Sequence, residues 1–377
     1  MRSSVSRQPA PAAPGSYFAG LLGQERAVRV LDRTAASGRM PSLLFVGRHG
    51  VGKRTAALML AQGANCAAAG TRPCGECRSC RTIAALIHPD VRVLFPAAQR
   101  RREDESSETP DQPLDTPEPF ALGRRQPAPN PSHLIPIAAI RWLRREMARP
   151  PLSARHRFFV ILHADRLRGE AANALLKTLE EPQAQSSFIL TAAQPGILPP
   201  TIRSRCQVVR FGDIPETTIA DCLVRSAGAD PAAARTAAAL ADGSLGDAFR
   251  HLDSPEAALV RPALDYFLEP DAAGSDRLLE TLDEVKGMPP VAVLNTLLFL
   301  HRQALLWRLG TGSSFLEANP AVRGVAEGLE PGYLRRAIRH LLNRLDDCRL
   351  NVPAELLVYS VLVALRRPAQ KQRAAAG

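Results

Sequence analysis

Ser42-Leu43-Leu44-Phe45-Val46 runs directly into Gly47-Arg48-His49-Gly50-Val51-Gly52-Lys53. A short unbroken apolar run is the pattern of a strand buried on both faces. A helical pattern follows from Lys53 to about Ala64. Strand, glycine-rich turn and helix in that order open an α/β unit, and the turn reads as a phosphate-binding P-loop. Its glycines let backbone N–H groups point inward, and the helix N-terminus adds a dipole that favours phosphate. Lys53 is placed to reach the β and γ phosphates. Position 54 breaks the pattern. A Ser or Thr hydroxyl would ligate Mg2+ there, and the residue is Arg54. Thr55 follows, but one step along a helix turns a side chain by about 100°, so it is a poor substitute. The candidate nucleotide contacts are Gly47, Gly50, Gly52, Lys53 and Thr55. Whether nucleotide binds at all stays open, because the loop argues for it and Arg54 argues against normal magnesium placement.

Just beyond that helix come Cys66, Cys74, Cys77 and Cys80, spaced C-x7-C-x2-C-x2-C. Four thiolates so close together suit tetrahedral Zn2+ in a closed, structural site. Four thiolates also suit an iron–sulfur cluster. Cys206, Cys222 and Cys348 are isolated in sequence and read as ordinary small residues.

Further out, the α/β alternation continues. Val91 to Phe95 reads as a strand, 137–147 as a helix, Phe158 to Leu162 as a strand and Gly169 to Glu180 as a helix. Ser187 to Thr191 and Gln207 to Phe211 complete the strands. This spacing predicts a mainly parallel sheet. Residues 96–134 interrupt it with Arg100-Arg101-Arg102, an acidic stretch and many prolines, and read as a disordered insertion. The β signals vanish after Ile214. Segments 215–227, 231–241 and 245–252 predict a small helical lid over 212–254, and longer apolar stripes predict an all-α domain over 255–370. One stripe runs through Leu294, Leu297, Leu298, His301, Ala304, Leu305 and Arg308. Another takes in Leu334, Ile338, Leu341, Leu342 and Leu345, and the last runs from Leu356 to Leu365.

The chain has 377 residues, 45% hydrophobic and 23% charged, with a net charge of +11. That is an ordinary soluble composition, and the positive balance favours a polyanionic partner such as DNA or nucleotide. No run of 18 apolar residues exists, which excludes a helical membrane span. Residues 1–17 have no apolar secretory core and read as a disordered tail. A cytoplasmic location is expected, and in that setting the tight cysteine cluster suggests metal more than disulfides.

The combination resembles the bacterial replicative clamp-loader family, a group of AAA+ proteins. The residues that carry the resemblance are Leu21-Leu22-Gly23-Gln24-Glu25, the P-loop and the four-cysteine insertion after its helix. Two further stretches complete it: Ala172-Asn173-Ala174-Leu175-Leu176-Lys177-Thr178-Leu179-Glu180-Glu181-Pro182 and Thr201-Ile202-Arg203-Ser204-Arg205-Cys206. It covers residues 18–95 and 135–255, and the C-terminal helices by class and position alone. It implies a RecA-like AAA+ domain over 18–211 with a zinc knuckle at 66–80, then the helical lid, then a helical collar for oligomerisation.

Two kinds of subunit share this pattern, an ATP-hydrolysing gamma/tau motor and a delta-prime subunit. The motor kind carries Asp-Glu where this chain has Leu162-His163, and a phosphate-contacting Arg where it has Gly246. With Arg54, three departures coincide, and the resemblance therefore implies a delta-prime-like subunit that does not hydrolyse ATP. It also implies that Arg205 is an arginine finger, completing the ATP site of a neighbouring subunit in trans. The implied partners are gamma/tau and delta subunits in a hetero-pentamer, with the sliding clamp and primer-template DNA reached through that complex. Two alternatives stay open: an active AAA+ ATPase, and a zinc-containing DNA-binding module with a relic P-loop.

Overall fold

The computed structural model describes residues 17–96, 133–167, 169–180, 185–253, 263, 266–267, 281–283, 285, 290–348 and 353–365. The expected tail up to residue 16, the insertion from 97 to 132 with Arg100-Arg101-Arg102, and Glu181-Pro182 lie outside these residues. The chain forms two compact units. One holds the described residues up to Thr218 together with Gly243–Asp247; the other holds Ile219–Asp242 and the described residues from Ala248 onward.

The first unit is built on helix α1 (Glu25–Ala36), strand β1 (Leu43–Val46), α2 (Lys53–Asn65), α3 (Arg78–Ala84), β2 (Val91–Leu94) and α4 (Ile137–Ala148). After these come β3 (Arg157–Ile161), α5 (Gly169–Glu180), β4 (Ser186–Ala192), α6 (Pro200–Ser204), β5 (Gln207–Arg210) and the start of α7 (Glu216–Ala227). The strands form one five-stranded sheet in the order β2-β3-β4-β1-β5. Every pairing is parallel; Leu43 lies opposite both Ile189 of β4 and Gln207 of β5. The parallel α/β reading of the sequence is thus borne out.

Because successive strand side chains face opposite ways, β1 feeds two cores. Leu44 and Val46 pack with Leu143, Phe159, Leu175 and Phe188 on the side of α4 and α5. Leu43 and Phe45 pack with Leu31, Leu60, Phe158 and Phe211 on the side of α1 and α2. Burial on both faces is why β1 reads as an unbroken apolar run, and why β3 and β4 carry Phe158 to Ile161 and Phe188 to Leu190 at their centres. Interior β1 therefore delivers the loop at 47–52 to the carboxyl edge of the sheet, where open α/β sheets place their ligand crevices.

The second unit is helical. It contains most of α7, then α8 (Pro231–Leu240) and the larger part of α9 (Leu245–Asp253). The remaining helices are α10 (Pro290–Arg308), α11 (Ser314–Ala318), α12 (Pro320–Gly328), α13 (Pro331–Asp347) and α14 (Ala354–Ala364). Leu294, Leu297, Leu300 and Ala304 of α10 share a core with Leu334, Leu341, Val361 and Leu362. Two leucines of the expected stripes face outward instead: Leu342 is 50% and Leu356 60% exposed. In each helix the adjacent leucine of the same stripe, Leu341 or Leu357, is buried, so the core face is narrower than the stripe. Among the described residues no helix is long and apolar enough to cross a membrane.

Candidate functional site

Gly47 follows β1, and its N–H donates to Ala192 O of β4 at 3.2 Å. Gly50 (φ +71°) and Gly52 (φ +99°) adopt left-handed conformations, which residues with a Cβ reach only at a cost. Gly52 is the N-cap that precedes α2. Val51, between them, is fully buried and anchors the loop.

Lys53 does not project from this loop. It is buried, and its Nζ donates to Gly47 O and Arg48 O, both at 2.5 Å. Burial pulls its pKa down to about 8, against the opposing pull of the Asp165 carboxylate. The ammonium is thus spent on two carbonyls of its own loop. Arg54, where a magnesium-binding hydroxyl would stand, points to β2's end. Its guanidinium lies 5.3 Å from the centre of the Phe95 ring, and burial lowers its pKa to about 10. Thr55 is half-buried on α2.

A second segment closes over the loop. Gly246 N donates to Gly50 O at 3.2 Å. A Cβ on Gly50 would lie 2.1 Å from Ser244 Oγ, and one on Gly246 would lie 3.0 Å from Gly50 Cα. Ser244 is fully buried, and its Oγ caps the start of α9 by accepting from Asp247 N at 3.1 Å. Gly243 stands at φ +85° with Asp213 so close that no side chain fits. Gly212, one residue before Asp213, exchanges two hydrogen bonds with buried Gln24, at 2.7 and 3.0 Å. The Leu21–Glu25 stretch therefore fixes the loop that carries 243–247 onto the glycines.

At the Leu162-His163 position, Leu162 is buried in the core. His163 takes a left-handed conformation (φ +54°), and its N–H donates to Thr191 Oγ1 at 3.0 Å. Its ring lies 4.9 Å from that of His49 in the P-loop, centre to centre. Burial first, then His49, pushes its pKa down to about 4, with Asp165 opposing; the imidazole is neutral near pH 7. Asp165 Oδ2 accepts from Ala193 N and Gln194 N, both at 3.0 Å, and so ties the turn after β3 to the turn after β4.

The four cysteines converge. The sulfurs of Cys66, Cys74, Cys77 and Cys80 all lie within 4.8 Å of one another. Zn–S bonds of about 2.3 Å in a tetrahedron put sulfurs about 3.8 Å apart, so the donor set fits a tetrahedral metal ion. Backbone N–H groups support it: Cys77 N donates to Cys74 Sγ at 3.3 Å and Cys80 N to Cys77 Sγ at 3.5 Å. Such donors, from Ala67 and Cys80, hold the Cys77 thiol down to about 6, while burial pushes Cys80 up to about 12. Buried Gln62 of α2 donates to Cys80 O at 2.8 Å, so the cluster is fastened to the helix that begins at Lys53. The cluster could hold a metal ion, consistent with zinc.

Arg205 ends α6 on the surface, 35% exposed by its side chain. It pairs with Glu180 at 2.7 Å and donates to Thr201 O at 3.0 Å. The structure brings Gly47, Gly50, Gly52 and Lys53 together with His49, His163 and Gly246. The cysteine cluster and Arg205 are separate places. The closure by Ser244–Gly246, the His49–His163 stack, the Gln62 tie and the Glu180 partner were not readable from spacing, because each joins residues far apart in the chain.

Fold and site together define a P-loop-type α/β protein with an appended four-cysteine cluster that could hold a metal ion. The family model described as DNA polymerase III, delta subunit, matches residues 23–215, half of the chain, and the chain belongs to that family. The delta' subunit of DNA polymerase III from Bacillus subtilis is 31% identical over 202 residues, covering 53% of this chain and 51% of that protein. The tau subunit from the same organism is 27% identical over 321 residues, covering 78% of this chain and 51% of that protein. The tau subunit of Salmonella typhimurium is 27% identical over 354 residues, covering 86% and 50%. The chain spans about half the length of these relatives. The family resemblance read from the motifs is borne out.

Proposed function

We propose that this chain is a non-hydrolysing, delta-prime-type subunit of a cytoplasmic DNA polymerase III clamp loader. It acts with gamma/tau and delta subunits in a hetero-pentamer that places the sliding clamp on primer-template DNA. The observation that carries the non-hydrolysing part is the closed P-loop. Lys53 is bonded to Gly47 O and Arg48 O, and Gly246 sits backbone to backbone on Gly50. Neither Leu162 nor His163 offers a carboxylate, and the nearby Asp165 places its Oδ2 on Ala193 N and Gln194 N. Static ATP binding at Gly47, Gly50, Gly52, Lys53 and Thr55 would require Lys53 to leave its two carbonyls.

In this reading Arg205 works on a neighbour's substrate. A guanidinium beside a γ-phosphate stabilises the charge that develops there, worth on the order of 10³–10⁵ in rate. Its surface position is what that role requires, since a buried arginine could not reach another chain. Zinc, held by Cys66, Cys74, Cys77 and Cys80, would cross-link the segment after α2 and take no part in chemistry. Residues 212–254 would serve as the lid and 255–370 as the collar that packs with other subunits.

The test is reconstitution with motor and delta subunits, followed by clamp- and DNA-stimulated ATP turnover with Arg205 intact or changed by Arg205→Ala. A loss of stimulated turnover with assembly unchanged supports the reading; unchanged turnover removes the finger. ATP turnover by the isolated chain would favour a motor subunit instead. Tight DNA binding by the isolated chain, falling steeply with salt, would favour a DNA-binding module.

A further inference from the structure

The geometry points to Glu180 as the positioning residue for Arg205, a role that rests on the arginine-finger reading above. Glu180 is the last residue of α5, and Arg205 is the residue that ends α6. Their neighbours in sequence, Leu179 and Cys206, are buried in one core together with Ile202. The two backbones are thereby held by the packed interior, and only the side chains remain to be ordered. Glu180 Oε1 takes the guanidinium at 2.7 Å, while Thr201 O takes its NH1 at 3.0 Å. One contact is a carboxylate on another helix and the other is a carbonyl one turn back. Together they set both the direction and the roll of the guanidinium plane.

An arginine has five N–H donors in a rigid fork. Glu180 and Thr201 engage two of its donors, which leaves donors over for a phosphate. A long side chain that must find its pose during the reaction loses rate to rotamer freedom; one already posed does not. The carboxylate is also the group that could oppose Arg205, by competing with phosphate for it. Exposure decides against strong competition: the Arg205 and Glu180 side chains are 35% and 48% exposed, and ion pairs in water hold weakly. The pair is strong enough to aim the guanidinium and too weak to withhold it from a triphosphate.

The experiment uses the full reconstituted loader and steady-state ATP turnover stimulated by clamp and DNA. Glu180→Ala is expected to lower kcat about two- to fivefold, the range an exposed ion pair supports, with KM for ATP unchanged, and with assembly and the chain's thermal midpoint unchanged. Glu180→Gln keeps an acceptor oxygen and is expected to recover most of that loss. In an Arg205→Ala background, Glu180→Ala is expected to cost nothing further. If Arg205→Ala abolishes stimulation while Glu180→Ala does not alter it, the positioning role falls and the finger stands. A rise in turnover on Glu180→Ala, or an equal further loss in the Arg205→Ala background, also overturns it. If neither substitution matters, the finger and its positioning residue fall together.

Discussion

The amide of Gly246 donates to the carbonyl of Gly50 at 3.2 Å, joining a segment that starts α9 to the middle of the P-loop. Residues 196 positions apart in sequence are thus in backbone contact. This contact is possible because both are glycine. Gly246 occupies the place where the resemblance implies a phosphate-contacting arginine in motor subunits.

Installing that arginine should not create an ATPase. A Cβ at 246 would lie 3.0 Å from Gly50 Cα, so Gly246→Arg must push backbone from backbone. A destabilisation of about 1–3 kcal/mol is expected from such overpacking, read from urea unfolding, with no ATP turnover gained. Gly50→Ala should behave similarly, since φ +71° and Ser244 Oγ at 2.1 Å both oppose a side chain there.

Magnesium should not matter to nucleotide binding. The position of the metal-binding hydroxyl is taken by Arg54, turned to Phe95, and no carboxylate stands at Leu162-His163. Titration of a fluorescent ATP analogue into the isolated chain should give the same affinity with and without Mg2+. A large gain with Mg2+ would show a metal site that these residues do not supply.

The cysteine cluster should bind one zinc ion per chain, measured by metal analysis after purification. Chelation, or Cys77→Ser, should lower the thermal midpoint, because metal binding by folded ligands adds to folding free energy. Gln62→Ala should weaken zinc retention, since Gln62 holds Cys80 O to α2. Circular dichroism of the zinc-free chain should retain the helical signal of both units.

Acid should weaken the fold through His163. Its pKa in the fold is pushed down to about 4 from the ordinary 6.5, so the unfolded chain binds a proton in a range where the folded chain does not. Stability from this group is full above about pH 6.5 and is lost as pH falls toward 4, by up to about 3 kcal/mol. His163→Asn keeps a residue that tolerates φ +54° and removes the titration. Urea unfolding at pH 7 and pH 5 should show a smaller difference in the variant than in the parent chain.

Much of this was legible in one dimension. Leu43 to Val46 announced a strand buried on both faces, and a parallel sheet does bury both faces of its interior strands. The glycines between Val46 and Lys53 announced a tight turn between strand and helix, and Gly50 and Gly52 do take left-handed conformations there. The cysteine spacing announced a cluster of thiols because short intervals bring side chains together, and the four sulfurs do lie within 4.8 Å of one another. The motifs around Leu175 and Ser204 carried the family. The outward turn of Leu342 and Leu356 was missed, because a helical stripe read by spacing leaves its edges free by one residue.

What the sequence determined by itself was local: which segments are strand or helix, where the glycine-rich turn lies between them, and which cysteines stand close enough to share a metal ion. These follow from steric rules and short intervals acting within a few residues. Tertiary structure alone decided the state of those groups. Lys53 is turned onto its own loop, His163 is kept neutral against His49, Gly246 closes on Gly50, and Glu180 holds Arg205. The last three depend on bringing distant backbones to within a few ångströms, which only the packed core does, while Lys53 folds back onto carbonyls five and six residues away.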